Sequence, residues 1–379
     1  MQKLWNNRQL RNLLLQGMAL AGLLAILGTA GFNAARNLQS SGVTSGFGFL
    51  TERAGYDISF SLIDYSPKSA SHAYAWWVGT LNTVFFAVVT IVTATLMGLA
   101  LAMARLSPNW LLSTTARVVL EYLRNVPVLV HIFVWYGLFL ALPAARQAIP
   151  LFDMGFVSNR GIFLPTFDWQ YNSAALFLFL ICCVGGVAAV WLRLRHLSRP
   201  LRALAALTAV AAITVFATLI SGVPAQIDYP VKKGFGFDGG MTLSPEIMTM
   251  WAAVTVYFST HCAEVIRGAV MGVHKGQAEA AQALGASRKL VMLEVVIPQA
   301  LRAIVPPMTS NYINILKAAS LGTAIGFLDV MGTTGGSTLN ITGQAIECIA
   351  IVMLTYMVLN LALSWVMGRV NKAVQIKER

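Results

Sequence analysis

Apolar runs long enough to cross a lipid bilayer recur along this chain, and they fix the solvent in which it folds. A helix needs roughly 17–25 predominantly apolar residues to span the hydrocarbon layer. Runs of that kind cover Leu13–Gly31, Gly79–Ala104, Val126–Ala144, Ser173–Leu192, Ala203–Ser221, Ile247–Ile266, Pro306–Leu328 and Ile346–Gly368. A soluble alternative fails on composition: 57% of residues are hydrophobic, only 11% are charged, and mean hydropathy is +0.67, whereas soluble domains carry about 25% charged residues. The pattern predicts an all-α polytopic membrane protein with about eight transmembrane helices. The first run is too long for the apolar core of a signal peptide and lacks an A-x-A cleavage site, so it reads as a span.

The net charge of +12 would suggest nucleic acid in a soluble protein. Here the basic residues sit in short connectors between apolar runs, where they orient helices, so no nucleic-acid partner follows. One set of connectors holds Lys3, Arg8 and Arg11, then Arg105, Arg117 and Arg124, then Arg193, Arg195, Arg199 and Arg202, then Arg267, Lys275, Arg288, Lys289 and Arg302, and finally Arg369, Lys372, Lys377 and Arg379. The alternate set is poorer, with Arg36, Arg53, Lys68, Arg146, Arg160, Lys232 and Lys233. The positive-inside rule places both termini and the connector around Glu279 in the cytoplasm. An even number of spans agrees. The opposite connectors are long and mix aromatics, Gly, Pro and acids. Four stretches result: residues 1–77, an N-terminal helix with a large outer loop; 78–144; 145–222, an outer loop with an inserted helical hairpin; and 223–379, which carries the polar connector at about 267–305. The four cysteines, Cys182, Cys183, Cys262 and Cys348, lie in or beside apolar runs without zinc-ligand spacing and read as small buried hydrophobes.

From Gln277 to Pro298 the chain reads QAEAAQALGASRKLVMLEVVIP. Residues 276–284 are rich in good helix formers, and Gly285 and Ser287 interrupt them, which predicts two short helices joined by a sharp turn. Ala280, Ala281 and Ala283 leave little bulk, so this helix can sit deep in a partner's groove, with Glu279, Arg288 and Lys289 fixing the rim. Pro298, Pro306 and Pro307 are expected to stop helices at the return into the bilayer, because proline lacks the donor that a helix interior requires.

The spacing Glu279-Ala280-Ala281, Gly285, then Val295-Val296-Ile297-Pro298 resembles the signature of permease subunits of ATP-binding-cassette importers. Its departures are apolar exchanges. The segments from Val78 to Ser107, from Glu121 to Gly137, from Ala263 to Gly285 and from Asn311 to Gly326 look like polar amino acid importers, and the resemblance covers Val78–Gly137 and Trp251 to the C-terminus. The added first span, large outer loop and inserted hairpin look like the larger permease subunit of a general L-amino acid importer. The resemblance implies a five-helix type I permease core in a bacterial inner membrane. It also implies that the loop bearing Glu279, Ala280, Ala281, Gly285 and Pro298 couples to separate ATPase subunits, which bind ATP and Mg. Further partners implied are a second, related permease subunit, forming a heterodimer, and a periplasmic amino-acid-binding protein.

The chain has no GxxxxGK[ST] phosphate loop, no HExxH and no GxSxG, and its five histidines are scattered. No catalytic residue and no metal site are assigned, and the chain is not read as an enzyme. Polar groups within the membrane are the remaining candidates, since they are costly in lipid. Asn311, Asn314 and Lys317 form a polar series suited to a translocation pathway. Glu264 and Arg267, three apart, suit a structural ion pair. Glu347, Glu121 and Arg124 read as caps and anchors. The alternative function is an ion-coupled secondary amino acid transporter, with Lys317, Glu264 or Glu347 holding the coupling ion. It leaves the loop spacing unexplained.

Overall fold

The computed structural model describes residues 8–40, 46–152, 154–168, 209, 226–234 and 236–375. The helices are α1 (Arg8–Ser40), α2 (His72–Leu106), α3 (Trp110–Asn125), α4 (Val128–Leu140), α5 (Pro245–Met271), α6 (Lys275–Ala283), α7 (Arg288–Val291), α8 (Ile297–Ala318), α9 (Leu339–Thr342) and α10 (Ala345–Val374). Among the described residues, 4 helical stretches are long and apolar enough to cross a membrane, or up to 5 if a bent pair is one span. The expected runs Ser173–Leu192 and Ala203–Ser221, with Cys182 and Cys183, lie outside the described residues.

The bent pair is α3 and α4, which meet at 102°. Proline explains the break: Pro127 disfavours helical backbone at the residue before it, and Val126 is extended at φ −91 and ψ 128. Helix α5 has 27 residues, about 40 Å at 1.5 Å per residue. It carries Thr249, Thr255, Ser259 and Thr260, all buried. The hydroxyls of Ser259 and Thr260 bond back to Val256 and Tyr257 carbonyls at 2.7 and 2.6 Å, so helix atoms satisfy them.

By contacts the chain forms two units, Met1–Tyr136 with Thr249–Arg379, and Gly137–Met248. In the first, α2 and α5 run parallel and pack closely: Trp251 Nε1 donates to Thr93 Oγ1 at 3.2 Å, and the Thr93 and Thr255 hydroxyls bond at 2.9 Å. Further along, Gly98 meets Cys262 and Ser259. Small residues at such a contact let backbones approach where lipid supplies no hydrophobic drive. A core of Ala102, Leu120, Cys262, Ala263, Ile266 and Met308 joins α2, α3, α5 and α8.

Two expectations need correction. Pro306 and Pro307 do not stop a helix; both lie inside α8. The helix instead begins beside Pro298, whose missing donor costs nothing in a first turn, and packing holds the run together despite the prolines, as neighbours do in membrane helices. The chain is also mostly helical rather than all-α. Among its described residues the second unit carries eight strands of three or four residues: β1 (Ile149–Leu151), β2 (Gly155–Ser158), β3 (Gly161–Leu164), β4 (Thr166–Asp168), β5 (Gln226–Asp228), β6 (Val231–Lys233), β7 (Gly236–Asp238) and β8 (Met241–Leu243). A four-stranded antiparallel sheet has the order β1-β2-β3-β8, while β4 pairs with β5 and β6 with β7. These connectors are long, and their backbone groups find partners in strand ladders. The rings of Phe156 and Phe163 close on Phe237, at 4.8 and 4.1 Å between centroids.

Candidate functional site

The segment between α5 and α8 folds as a helix, a glycine turn and a second short helix. His274 caps α6, its Nδ1 accepting from Gly276 N at 3.2 Å. At the other end Gly285 takes φ +84. Its N–H donates to Gln282 O at 2.9 Å, and Ala286 N donates to Ala281 O at 3.1 Å. That is the Schellman arrangement, whose left-handed residue is cheapest as glycine. Ser287 then caps α7, accepting from Leu290 N at 3.3 Å. Five residues of π-helix, Met292–Val296, lead into α8. The interval from Glu279-Ala280-Ala281 to Gly285 is therefore the distance from the middle of a helix to its left-handed stop, and Pro298 falls in the first turn of the next long helix.

No residue of α6 is buried. Glu279 and Ala280 are exposed and Ala281 is half-buried, and Glu279 takes part in none of the ion pairs among the described residues. Leu284, beside the glycine, is 90% exposed, and Leu290, Met292 and Leu293 are exposed too. Leu284 escaped the reading of the sequence, which weighed only polar and small residues. Its signal was an apolar side chain at the end of an otherwise polar exposed helix.

The remaining candidates occupy α5 and α8. Glu264 and Arg267 pair as expected: Arg267 Nη2 bonds Glu264 Oε1, and Arg267 Nε donates to Oε2 at 3.2 Å. A third member was missed, since Arg105 Nη1 at the end of α2 reaches Glu264 Oε2 at 3.4 Å. Nothing in sequence separation announces that pair. On α8, Asn314 and Lys317 are exposed and Asn311 is half-buried, with its Nδ2 buried and without a hydrogen-bond partner among the described residues. Glu347 acts as an anchor, its Oε1 accepting Gly46 N at 2.7 Å.

A second missed residue is Asp329, fully buried between α8 and α10. Its carboxylate accepts Gly332 N at 2.8 Å and the Tyr356 hydroxyl of α10 at 2.5 Å. Val330 N next to it donates to Thr83 Oγ1 of α2 at 3.1 Å, and Asn82 Nδ2 donates to Leu328 O at 3.0 Å. Tyr56, in the connector before α2, bonds Thr338 Oγ1 at 3.0 Å, and burial holds its phenol well above the ordinary tyrosine range.

The connector between two long helices is thus a capped helical turn with exposed leucines. Residues 94–376 match the family described as "Binding-protein-dependent transport system inner membrane component", and the chain belongs to that family. It is a multi-pass inner-membrane protein. It is 38% identical to YhdX of Escherichia coli (strain K12), provisionally named an amino-acid ABC transporter permease protein, over 98% of this chain and 96% of that one. It is 37% identical to the general L-amino acid transport system permease protein AapQ of Rhizobium johnstonii, over 97% and 93%. Identity to the glutamate/glutamine/aspartate/asparagine transport system permease protein BztB of Rhodobacter capsulatus is 33%, over 95% and 92%.

Proposed function

We propose that this chain is the membrane-spanning permease subunit of an ATP-binding-cassette importer for L-amino acids. The observation that carries the reading is the α6–Gly285–α7 unit: capped within the chain, with no buried residue in α6, and carrying Leu284 at 90% exposure. Separate ABC ATPase subunits bind ATP and Mg, and their closure moves this unit through contacts at Glu279, Ala280, Ala281 and Gly285, while Pro298 starts the helix that carries the motion onward. A periplasmic amino-acid-binding protein delivers substrate from the other side. The relatives' names supply the substrate class, and nothing in the comparisons favours the ion-coupled alternative.

The chain forms half of the pathway, with a second, related permease subunit supplying the other half as a heterodimer. The exposed face of α8 supports this assignment. Ser310, Asn314 and Lys317 are exposed there, and polar groups on a membrane helix avoid lipid in favour of a cavity or a protein neighbour. Eight transmembrane helices, five of them forming the core, with both termini cytoplasmic, are consistent with the basic connectors.

The test is uptake of labelled L-amino acids into proteoliposomes holding the chain with its ATPase, partner permease and binding protein, comparing wild type with Gly285→Asp. A Cβ at 285 meets nothing within 4 Å, so the isolated subunit bears only left-handed backbone strain of about 1–2 kcal/mol or less. Uptake that requires ATP and is lost in the variant while the complex still assembles is the expected result. Uptake driven by an ion gradient without ATP overturns the reading.

A further inference from the structure

One carboxylate ties together the ends of two long helices next to the docking unit. Glu264 lies two turns before the end of α5, and only Gly272, Val273 and His274 separate α5 from α6. Its Oε2 takes both Arg267 Nε, at 3.2 Å, and Arg105 Nη1, at 3.4 Å, and its Oε1 takes Arg267 Nη2. Arg105 is the penultimate residue of α2. The three side chains are 30, 23 and 16% exposed, in the order Glu264, Arg267, Arg105, so solvent screens them only in part. Arg124, at the end of α3, is close enough to add a third positive charge. Two turns back, Gly98 holds α2 against Cys262 and Ser259. The helix pair is thus fastened twice, by close packing and then by charge, and the charged fastening is the one beside α6.

We propose that Glu264 is a positioning residue for energy coupling, fastening the ends of α2 and α5 into one lever so that displacement of α6 moves both helices. This rests on reading α6 as the contact for the ATPase. A push on α6 reaches α5 through three residues, but α2 adjoins α6 nowhere in sequence, and Glu264 adds the charged link that ties its end to α5. Without the carboxylate, Arg105, Arg124 and Arg267 repel one another. The end of α2 then parts from α5, and ATP is hydrolysed without a matching movement of the pathway.

The assay is the ratio of amino acid taken up to ATP hydrolysed, in proteoliposomes holding the whole importer and its binding protein. For Glu264→Gln the expected result is an assembled complex that still hydrolyses ATP, with the ratio lowered by about tenfold, the scale of one lost charge-assisted hydrogen bond. Glu264→Asp, which keeps the charge, should recover part of it. If uptake and hydrolysis fall in proportion, or neither changes, Glu264 is only a structural ion pair and the proposal fails. If Glu264→Gln does not assemble, Arg105→Gln decides by the same ratio, since it breaks the α2–α5 link and leaves Arg267 paired. Gly285→Asp run in parallel separates the two ideas: unchanged uptake there removes the docking reading itself, whatever Glu264 does.

Discussion

Gly98 gives the sharpest test of how the membrane helices are held. A Cβ at this position sits 2.6 Å from Cys262 Cβ, 2.8 Å from Ser259 O and 3.1 Å from Ala263 N. Carbon atoms in good contact lie about 3.5–4.0 Å apart, so Gly98→Ala must move α2 from α5 by roughly 1 Å. Two of the three obstacles are backbone atoms, which no rotamer change relieves. Overpacking of this kind costs about 1–3 kcal/mol. Alanine's better helix propensity returns up to about 1 kcal/mol, leaving a net loss of up to about 2 kcal/mol for a mid-to-upper overpacking cost. Gly268, on the same α5, is the control, because a Cβ there meets nothing within 4 Å; Gly268→Ala keeps the propensity gain without the clash. The measurement is the temperature at which the assembled importer, in detergent, loses its monodisperse peak on size-exclusion chromatography. Gly98→Ala should lower it by several degrees, at about 2–4 °C per kcal/mol, while Gly268→Ala leaves it unchanged or raises it. Adding Cys262→Gly to Gly98→Ala should restore only part of the loss, because the Ser259 carbonyl stays in place. Equal behaviour of the two alanine variants would refute the close α2–α5 approach.

Tyr356→Phe leaves one oxygen of the buried Asp329 carboxylate without its partner, and should cost about 1–3 kcal/mol, read as a lower transition temperature in the same chromatographic assay. Leu284→Glu changes a side chain that is 90% exposed, so the subunit's own stability should stay within about 0.5 kcal/mol, while co-purification with the ATPase is lost; undiminished co-purification would remove Leu284 from the docking surface. Lys317→Met keeps the length of an exposed α8 side chain and removes its charge, and should reduce uptake with assembly and ATP hydrolysis intact. Unchanged uptake would take Lys317 out of the pathway.

What was legible in the sequence and what was not divide along a physical line. Local chemistry was readable: Gly285 stops a helix because only glycine sits cheaply at φ +84, and Glu264 and Arg267 pair because three residues is nearly one helical turn. Periodicity was readable too, so α1, α2 and α10 fall on expected apolar runs. Pro306 and Pro307 misled, because a rule about isolated helices was applied where neighbouring helices hold the backbone. The strands between residues 149 and 243 were hidden for a related reason. Segments of three or four residues carry no usable alternation, and β3 pairs with β8 far along the chain, Ile162 against Leu243. The pairing of Arg105 and the burial of Asp329, both missed, rest on contacts across long stretches of chain: 159 residues separate Arg105 from Glu264. Such a partner is set by how α2 and α5 pack at Gly98, and packing of that kind is a property of two surfaces together. The docking unit is the opposite case. Its N-caps and its glycine turn close within residues 274–291, so neighbouring residues set its shape and a single sequence can specify it.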